Sequence, residues 1–234
     1  MSRAPATLRG AREGVRLTWP LVPGIVVFAS AYGTAAAQKG MTLAEVLTAS
    51  AIVFGGAAQM VALEAWRDVW SMAGVLQVAL IATIINARMV LMGATLQPWM
   101  AGWPAGRTAA SAFFLVDASW VIGMRHRAEG GNDLGVFLGS GVFLWAVWVL
   151  ATAPGYIAGA LLPDPKRFGL DMIMPIFFVM MLVPMWRGPR AARPWAVAAA
   201  AVSLAVQALV PGYLFIVAGA LAGAVAGAFL DDGD

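Results

Sequence analysis

The chain predicts an all-α fold: a polytopic transmembrane helix bundle of about eight spans, with seven as the alternative. Three observations carry this expectation. Of 234 residues, 61% are hydrophobic and 12% charged, and the mean hydropathy is +0.81, whereas a soluble domain is about half apolar and a quarter charged. Apolar runs of span length recur along the whole chain, separated by polar loops of about ten residues at most. The 26 Gly and 13 Pro are too many for simple helices packed in water but common in membrane bundles. The same composition excludes a disordered chain, which needs low hydrophobicity and high charge.

Residues 1–16 carry Arg3, Arg9, Arg12 and Arg16 against the single acid Glu13. They read as a basic cytoplasmic tail with a short amphipathic lead-in. The apolar run that follows is too long for a signal-peptide core, and no cleavage site ends it. The transmembrane domain, 17–230, divides into runs at 17–37, 44–66, 70–88 (with a continuation to 98), 108–124, 134–161, 170–186, 194–210 and 213–230. Only Pro211-Gly212 separates the last two, which suits a tight antiparallel pair. An acidic tail, 231–234, closes the chain. With eight spans and the N-terminus inside, ten Arg fall on the cytoplasmic side and four Lys or Arg outside. That bias predicts a cytoplasmic N-terminus in a bacterial inner membrane. Trp19, Trp66, Trp70, Trp99, Trp103, Trp186 and Trp195 lie near span ends and read as an aromatic belt, while Trp120, Trp145 and Trp148 fall inside spans.

Whole chemistries are excluded early. There is no Cys and one His, which removes disulfides, thiolate nucleophiles, cysteine zinc sites and most histidine catalysis. No cofactor or metal is expected. The basic residues are scattered in ones to fours, not gathered on a face with aromatics, so no nucleic-acid partner is expected. No GxxxxGK[ST] loop is present, so ATP is not the direct energy source. Gly139-Ser140-Gly141 resembles a serine elbow, but the one His, His126, sits in the basic loop Arg125-His126-Arg127, so an enzyme is not expected.

Ionisable groups within hydrocarbon cost about 2.5–3.5 kcal/mol each and need a reason to be there. Glu45 and Glu64, at opposite ends of the second run, can both reach an interface. Asp117 cannot, because it lies in the middle of the fourth run, about 12 Å or more from either end. Desolvation there would favour its protonated form, which suits proton coupling; a neutral Asp hydrogen-bonded between helices is the alternative. Arg88, in Asn86-Ala87-Arg88, sits late in a run too long for one crossing. Either the helix breaks near 86–88 and offers its backbone to a ligand, or it ends there with Arg88 snorkelling. In the second run, Phe54-Gly55-Gly56-Ala57-Ala58-Gln59 places four small residues beside a Gln, as an unwound stretch on a substrate path or as close helix packing. Pro20, Pro23-Gly24 and Tyr32-Gly33 offer kink points and one hydroxyl in the first run. Gly219, Gly223 and Gly227 form a stripe for close helix contact, with this chain or another.

Taken in order, these pieces resemble the AzlC family, the large subunits of branched-chain amino-acid exporters of the LIV-E type. The matching residues are Pro23-Gly24, Tyr32-Gly33, Phe54 to Gln59, Asn86-Ala87-Arg88, Gly93 to Pro98, Asp117, Thr152 with Gly155 and Gly159, Asp164-Pro165, and Gly169-Leu170-Asp171 followed by Pro175. The resemblance covers about three quarters of the chain. It implies export of small hydrophobic amino acids such as valine, leucine and isoleucine, and a separate small membrane subunit of the AzlD type as partner. Where family members often carry a Thr-Asp-Glu cluster, this chain reads Val116-Asp117-Ala118. Asp171, at a span start, suits a helix cap.

A zwitterionic substrate needs a cation for its carboxylate, an acceptor for its ammonium and an apolar pocket. Arg88, Asn86, Gln59, Phe54, Gly55, Gly56 and Tyr32 are the expected substrate-binding residues, with Phe113 and Trp120 beside Phe54 in the apolar part. Asp117 is the expected proton-coupling residue. The competing readings are a passive channel or facilitator and a non-transporting membrane scaffold.

Overall fold

The computed structural model describes residues 4–64, 66, 71–161, 172, 188–210 and 214–230. Their regular structure is helical throughout: α1 (Leu8–Thr18), a 3-10 turn (Trp19–Leu21), α2 (Val22–Gln38), α3 (Leu43–Ile52), α4 (Gly56–Glu64), α5 (Met72–Leu96), α6 (Ala105–Ala112), α7 (Asp117–Ala128), α8 (Gly135–Leu161), α9 (Pro189–Leu209) and α10 (Leu214–Leu230). Among the described residues, four helical stretches are long and apolar enough to cross a membrane: Leu8–Gln38, Gly74–Leu96, Gly135–Leu161 and Ala192–Leu209. The sixth expected run, 170–186, lies outside the described residues, as do Asp164, Asp171 and Pro175.

The chain forms two compact units, Met1–Asp68 with Ile85–Asp171, and Val69–Ile84 with Met172–Asp234. In the second unit the glycine stripe packs within the chain. Cβ atoms added at Gly219 and Gly223 would meet Ser203, Ala199 and Trp195, which recur every four residues on α9. The stripe is therefore already used inside this chain. That removes the surface on which the scaffold reading rested.

The first unit is organised by a seam between the α1–α2 rod and α8. The two run in the same direction, because Gly10 approaches Asp133, Gly14 approaches Ser140, and Gly159 approaches Thr34. Ser30, Thr34 and Gln38, one helical turn apart, donate hydrogen bonds to the carbonyls of Ala151, Gly155 and Gly159 at 3.2, 2.8 and 3.1 Å. Such close approach needs glycine on both sides. A Cβ at Gly33 would lie 2.6 Å from the Tyr156 amide, well inside van der Waals contact.

At one end of this seam the N-terminal residues are clasped. The carbonyls of Ala4 and Pro5 accept from the Trp103 indole at 3.1 Å and the Leu134 amide at 2.8 Å. The Thr7 amide and hydroxyl donate to the Asp133 carboxylate, which also accepts from the Gly135 amide. Burial works to raise the pKa of Asp133, but these hydrogen bonds and the nearby His126 hold it below the usual carboxylate value. Residues 8–18 thus take the amphipathic lead-in form as a helix on α8. Trp99 and Trp103 are 3% and 9% exposed within this cluster, so they are core residues and not part of an aromatic belt. Trp19 is 64% exposed and stacks on Phe143 with centroids 5.9 Å apart.

One interruption falls where the small residues at 55–58 suggested it, and the other does not fall at 86–88. The third run does not break at 86–88: α5 is one helix of 25 residues, about 37 Å long. The second and fourth runs break instead, at Val53-Phe54-Gly55 and at Phe113 to Val116. The separation expected of Glu45 and Glu64 on one continuous helix therefore does not apply. Glu45 closes a capping box with Thr42 at the start of α3.

The fourth run also turns back on itself. Before α6, Trp103 binds Ala4, and Trp99 donates to Asn132, which follows α7, at 3.1 Å. Trp99 stacks on His126 with centroids 6.4 Å apart. Arg107 covers Trp103, and Arg127 lies over Trp99. Both ends of the α6–α7 hairpin thus sit at the clasped end of the unit. Arg107, counted outside, and Arg125 and Arg127, counted inside, lie at that same end, which overturns this part of the charge arithmetic. The tip reaches inward, where the Phe114 ring meets Trp145 at 6.3 Å.

Candidate functional site

The two interruptions meet beside the middle of α5. Phe54 and Phe113 face each other with centroids 6.5 Å apart. Asn86 lies against Gly55, whose added Cβ would stand 3.5 Å from its side-chain oxygen. Two residues further along α5, Arg88 Nη2 pairs with Asp117 Oδ2 at 2.9 Å. The sequence placed Asp117 in the membrane interior, left Arg88 either there or at a span end, and assigned them separate roles; the fold makes them partners. Their side chains are 35% and 39% exposed, so neither is sealed from an incoming ligand.

Asp117 is the first residue of α7, where three backbone amides lack intrahelical partners and the helix end carries partial positive charge. Ser119, fully buried, holds the turn: its hydroxyl accepts from the Val116 amide at 3.0 Å and reaches the Phe114 carbonyl at 2.9 Å. α4 likewise begins at Gly56, beside the other break. The start of α7 and Arg88 together provide positive potential for an anionic group at this end of the site.

Helix α8 supports the second run from behind with two tryptophans one turn apart. Trp145 donates to the Ala51 carbonyl at 3.0 Å, capping the end of α3, and Trp148 donates to Gln59 Oε1 at 3.0 Å. The second bond fixes the amide orientation, leaving Gln59 Nε2 as a buried donor with no partner among the described residues; Arg88 Nε is another. Tyr32 is 2% exposed and stacks on Trp148 at 6.0 Å, while Phe28 meets the same ring edge-on at 5.1 Å. Tyr32 therefore lies behind the break as support. Trp120 is tied to α5 through Thr95, at 2.8 Å.

Sequence reasoning missed Trp145, Trp148, Ser119 and Thr95. A signal existed for the tryptophans, because an indole N–H within a span must find an acceptor, and broken helices are where free carbonyls lie. Ser140, in the candidate serine elbow, is buried on unbroken α8 and donates to the Phe137 carbonyl.

The adjacent glycines differ sharply. At Gly56 a Cβ would stand 2.7 Å from both Phe28 and Trp148, whereas at Gly55 it meets nothing closer than 3.5 Å. Gly56→Ala is expected to lower thermal stability in detergent by about 1–3 kcal/mol through overpacking, and Gly55→Ala by less than about 1 kcal/mol. Equal losses would show that the aromatic wall does not constrain the break.

Comparison with known proteins supports the membrane character of the chain. The profile of the family described as AzlC protein matches residues 20–162, which include every residue of the site. The chain is also similar to an Archaeoglobus fulgidus protein described as an uncharacterized membrane protein, at 27% identity over 215 residues that form 91% of each chain. No solved structure matches it.

Proposed function

The chain belongs to the AzlC family of membrane transport proteins, and from that premise we propose that it is the large subunit of a secondary exporter. Its substrates are branched-chain or other small hydrophobic amino acids, moved out across the cytoplasmic membrane with proton coupling through Asp117. A small membrane subunit of the AzlD type completes it. The observation that carries this reading is the Arg88–Asp117 pair at the interruption that opens α7.

A zwitterion can exchange into such a pair with charge balance. Its carboxylate takes the Arg88 guanidinium, assisted by the buried donor of Gln59 and the amides that open α4. Its ammonium takes Asp117, and Phe54 and Phe113 supply apolar contact for a branched side chain. Protonation of Asp117 instead releases Arg88, so proton and substrate compete for the same carboxylate, which is the requirement for coupled exchange. A passive facilitator would show flux independent of the proton gradient.

The test is efflux of preloaded valine, leucine, isoleucine and methionine from cells lacking their own exporters, with and without an AzlD-type subunit. Efflux is expected only from the pair, with loss in Asp117→Asn. Persistence in that variant removes Asp117 as the coupling group. No efflux of any of the four from any combination overturns the substrate assignment.

A further inference from the structure

We propose that α2–α3–α4 and α5–α6–α7 are two inverted copies of one unit, a crossing helix followed by a re-entrant hairpin. The two hairpins act as separate gates, one on each face of the membrane. The inference gives a route of access to the site proposed above and rests on that reading for what passes through.

The first support is parity. Ala4 and Trp103 are hydrogen-bonded, so the chain between them crosses an even number of times. The α1–α2 rod and α5 are both long and apolar enough to cross. The interrupted segment between them must then return to the face it left.

Packing in the first unit agrees. α3 starts at the far end of α8, where the Tyr156 hydroxyl donates to the Met41 carbonyl, and by Ala51 it has reached Trp145. Ala57 to Val61 and Leu63 on α4 are all buried, and α4 packs on α2. On α2 the buried stretch runs from Phe28 to Ala36, much of it against α8, while Leu21, Val26 and Val27 are exposed; α4 opens beside Phe28, which a Cβ at Gly56 would approach to 2.7 Å. Helix α4 therefore lies along the later half of α2 and heads back to the Met41 end. The α6–α7 hairpin enters from the opposite, clasped end.

The sequence carries a trace of the duplication. Residues about 60 positions apart occupy equivalent places: Gly33-Thr34 and Gly93-Ala94-Thr95 late in the crossing helices, Gln38 and Gln97 at their ends, Thr48-Ala49-Ser50-Ala51 and Thr108-Ala109-Ala110-Ser111-Ala112 in the entering half-helices, and Phe54 and Phe114 in the breaks. Inverted repeats with a ligand site where their broken helices meet are a recurrent basis for alternating access. Here each copy contributes its tip, and Phe54 touches Phe113 between them.

Because the chain has no Cys, single-cysteine variants report one position each. Ala44→Cys, Ala101→Cys and Ala128→Cys, all exposed, are labelled with an impermeant maleimide in right-side-out and inside-out vesicles. Ala101→Cys and Ala128→Cys are expected to react from one face and Ala44→Cys from the other. Reaction of the first two from opposite faces, or of all three from one, overturns the repeat. Ala118→Cys, half-buried beside Asp117, is then expected to react from both faces in membranes also holding an AzlD-type subunit. Reaction from one face alone, or from neither, overturns the two-gate device. Added valine is expected to slow that reaction on both faces. Two-sided labelling that valine and the other three amino acids leave unchanged supports the gates while overturning the substrate reading.

Discussion

Arg88→Met is expected to abolish efflux and to destabilise the protein, because it strands the Asp117 carboxylate within the membrane. Removing one partner of a buried pair costs about 3–5 kcal/mol. Each side chain here is about one-third exposed, so the expected loss is smaller, about 1–3 kcal/mol. Asp117→Leu alone strands the guanidinium to similar effect. The double variant Arg88→Met with Asp117→Leu is expected to regain stability within about 1 kcal/mol of the parent, since apolar replacement of both partners removes both desolvation costs. Efflux stays lost. Thermal unfolding in detergent and efflux are measured together. A double variant that transports would remove the pair from the mechanism, and one as unstable as the single variants would show that the pair holds the hairpin in place.

Gly33→Val and Gly155→Val are expected to be the most damaging changes outside the site. Each Cβ would enter the backbone of the facing helix: Thr152 and Tyr156 for Gly33, Ser30 for Gly155. Backbone within two packed helices cannot yield locally, so α2 and α8 must separate. Separation also breaks the three hydrogen bonds from Ser30, Thr34 and Gln38. Overpacking of about 1–3 kcal/mol and three bonds of about 1 kcal/mol each sum to a loss of about 4–6 kcal/mol, comparable to the whole stability of many domains. The expected readout is absence of folded protein on extraction. By contrast Gly24→Val, where nothing approaches within 4 Å, is expected to fold. If Gly33→Val behaves like Gly24→Val, the seam is looser than the geometry indicates.

The positions of the polar and small residues were legible in the sequence, and their alliances were not. Asp117 had to be satisfied inside the membrane because its short side chain cannot reach water, and it is. The unwound reading of Phe54-Gly55-Gly56 followed from four small residues beside a Gln. The fourth run was read as one crossing because its hydropathy is continuous. No feature of the string shows that Val116 is extended or that Ser119 binds the turn behind it. Arg88 suggested either a break in its own helix or a snorkelling end, when it instead answers a break in another.

Composition and hydropathy by themselves determined that this is a helical membrane protein, because burying so many apolar side chains in water would leave too little polar surface to cover them. They also marked which residues cannot lie in hydrocarbon without a partner. Tertiary structure alone decided that the fourth run is interrupted and the third is not, which face each hairpin returns to, and that Arg88 and Asp117 meet. Hydropathy measures the cost of leaving water, which a re-entrant hairpin and a crossing helix share. Direction and pairing depend instead on contacts between residues far apart in the chain, such as Trp103 with Ala4 and Trp148 with Gln59.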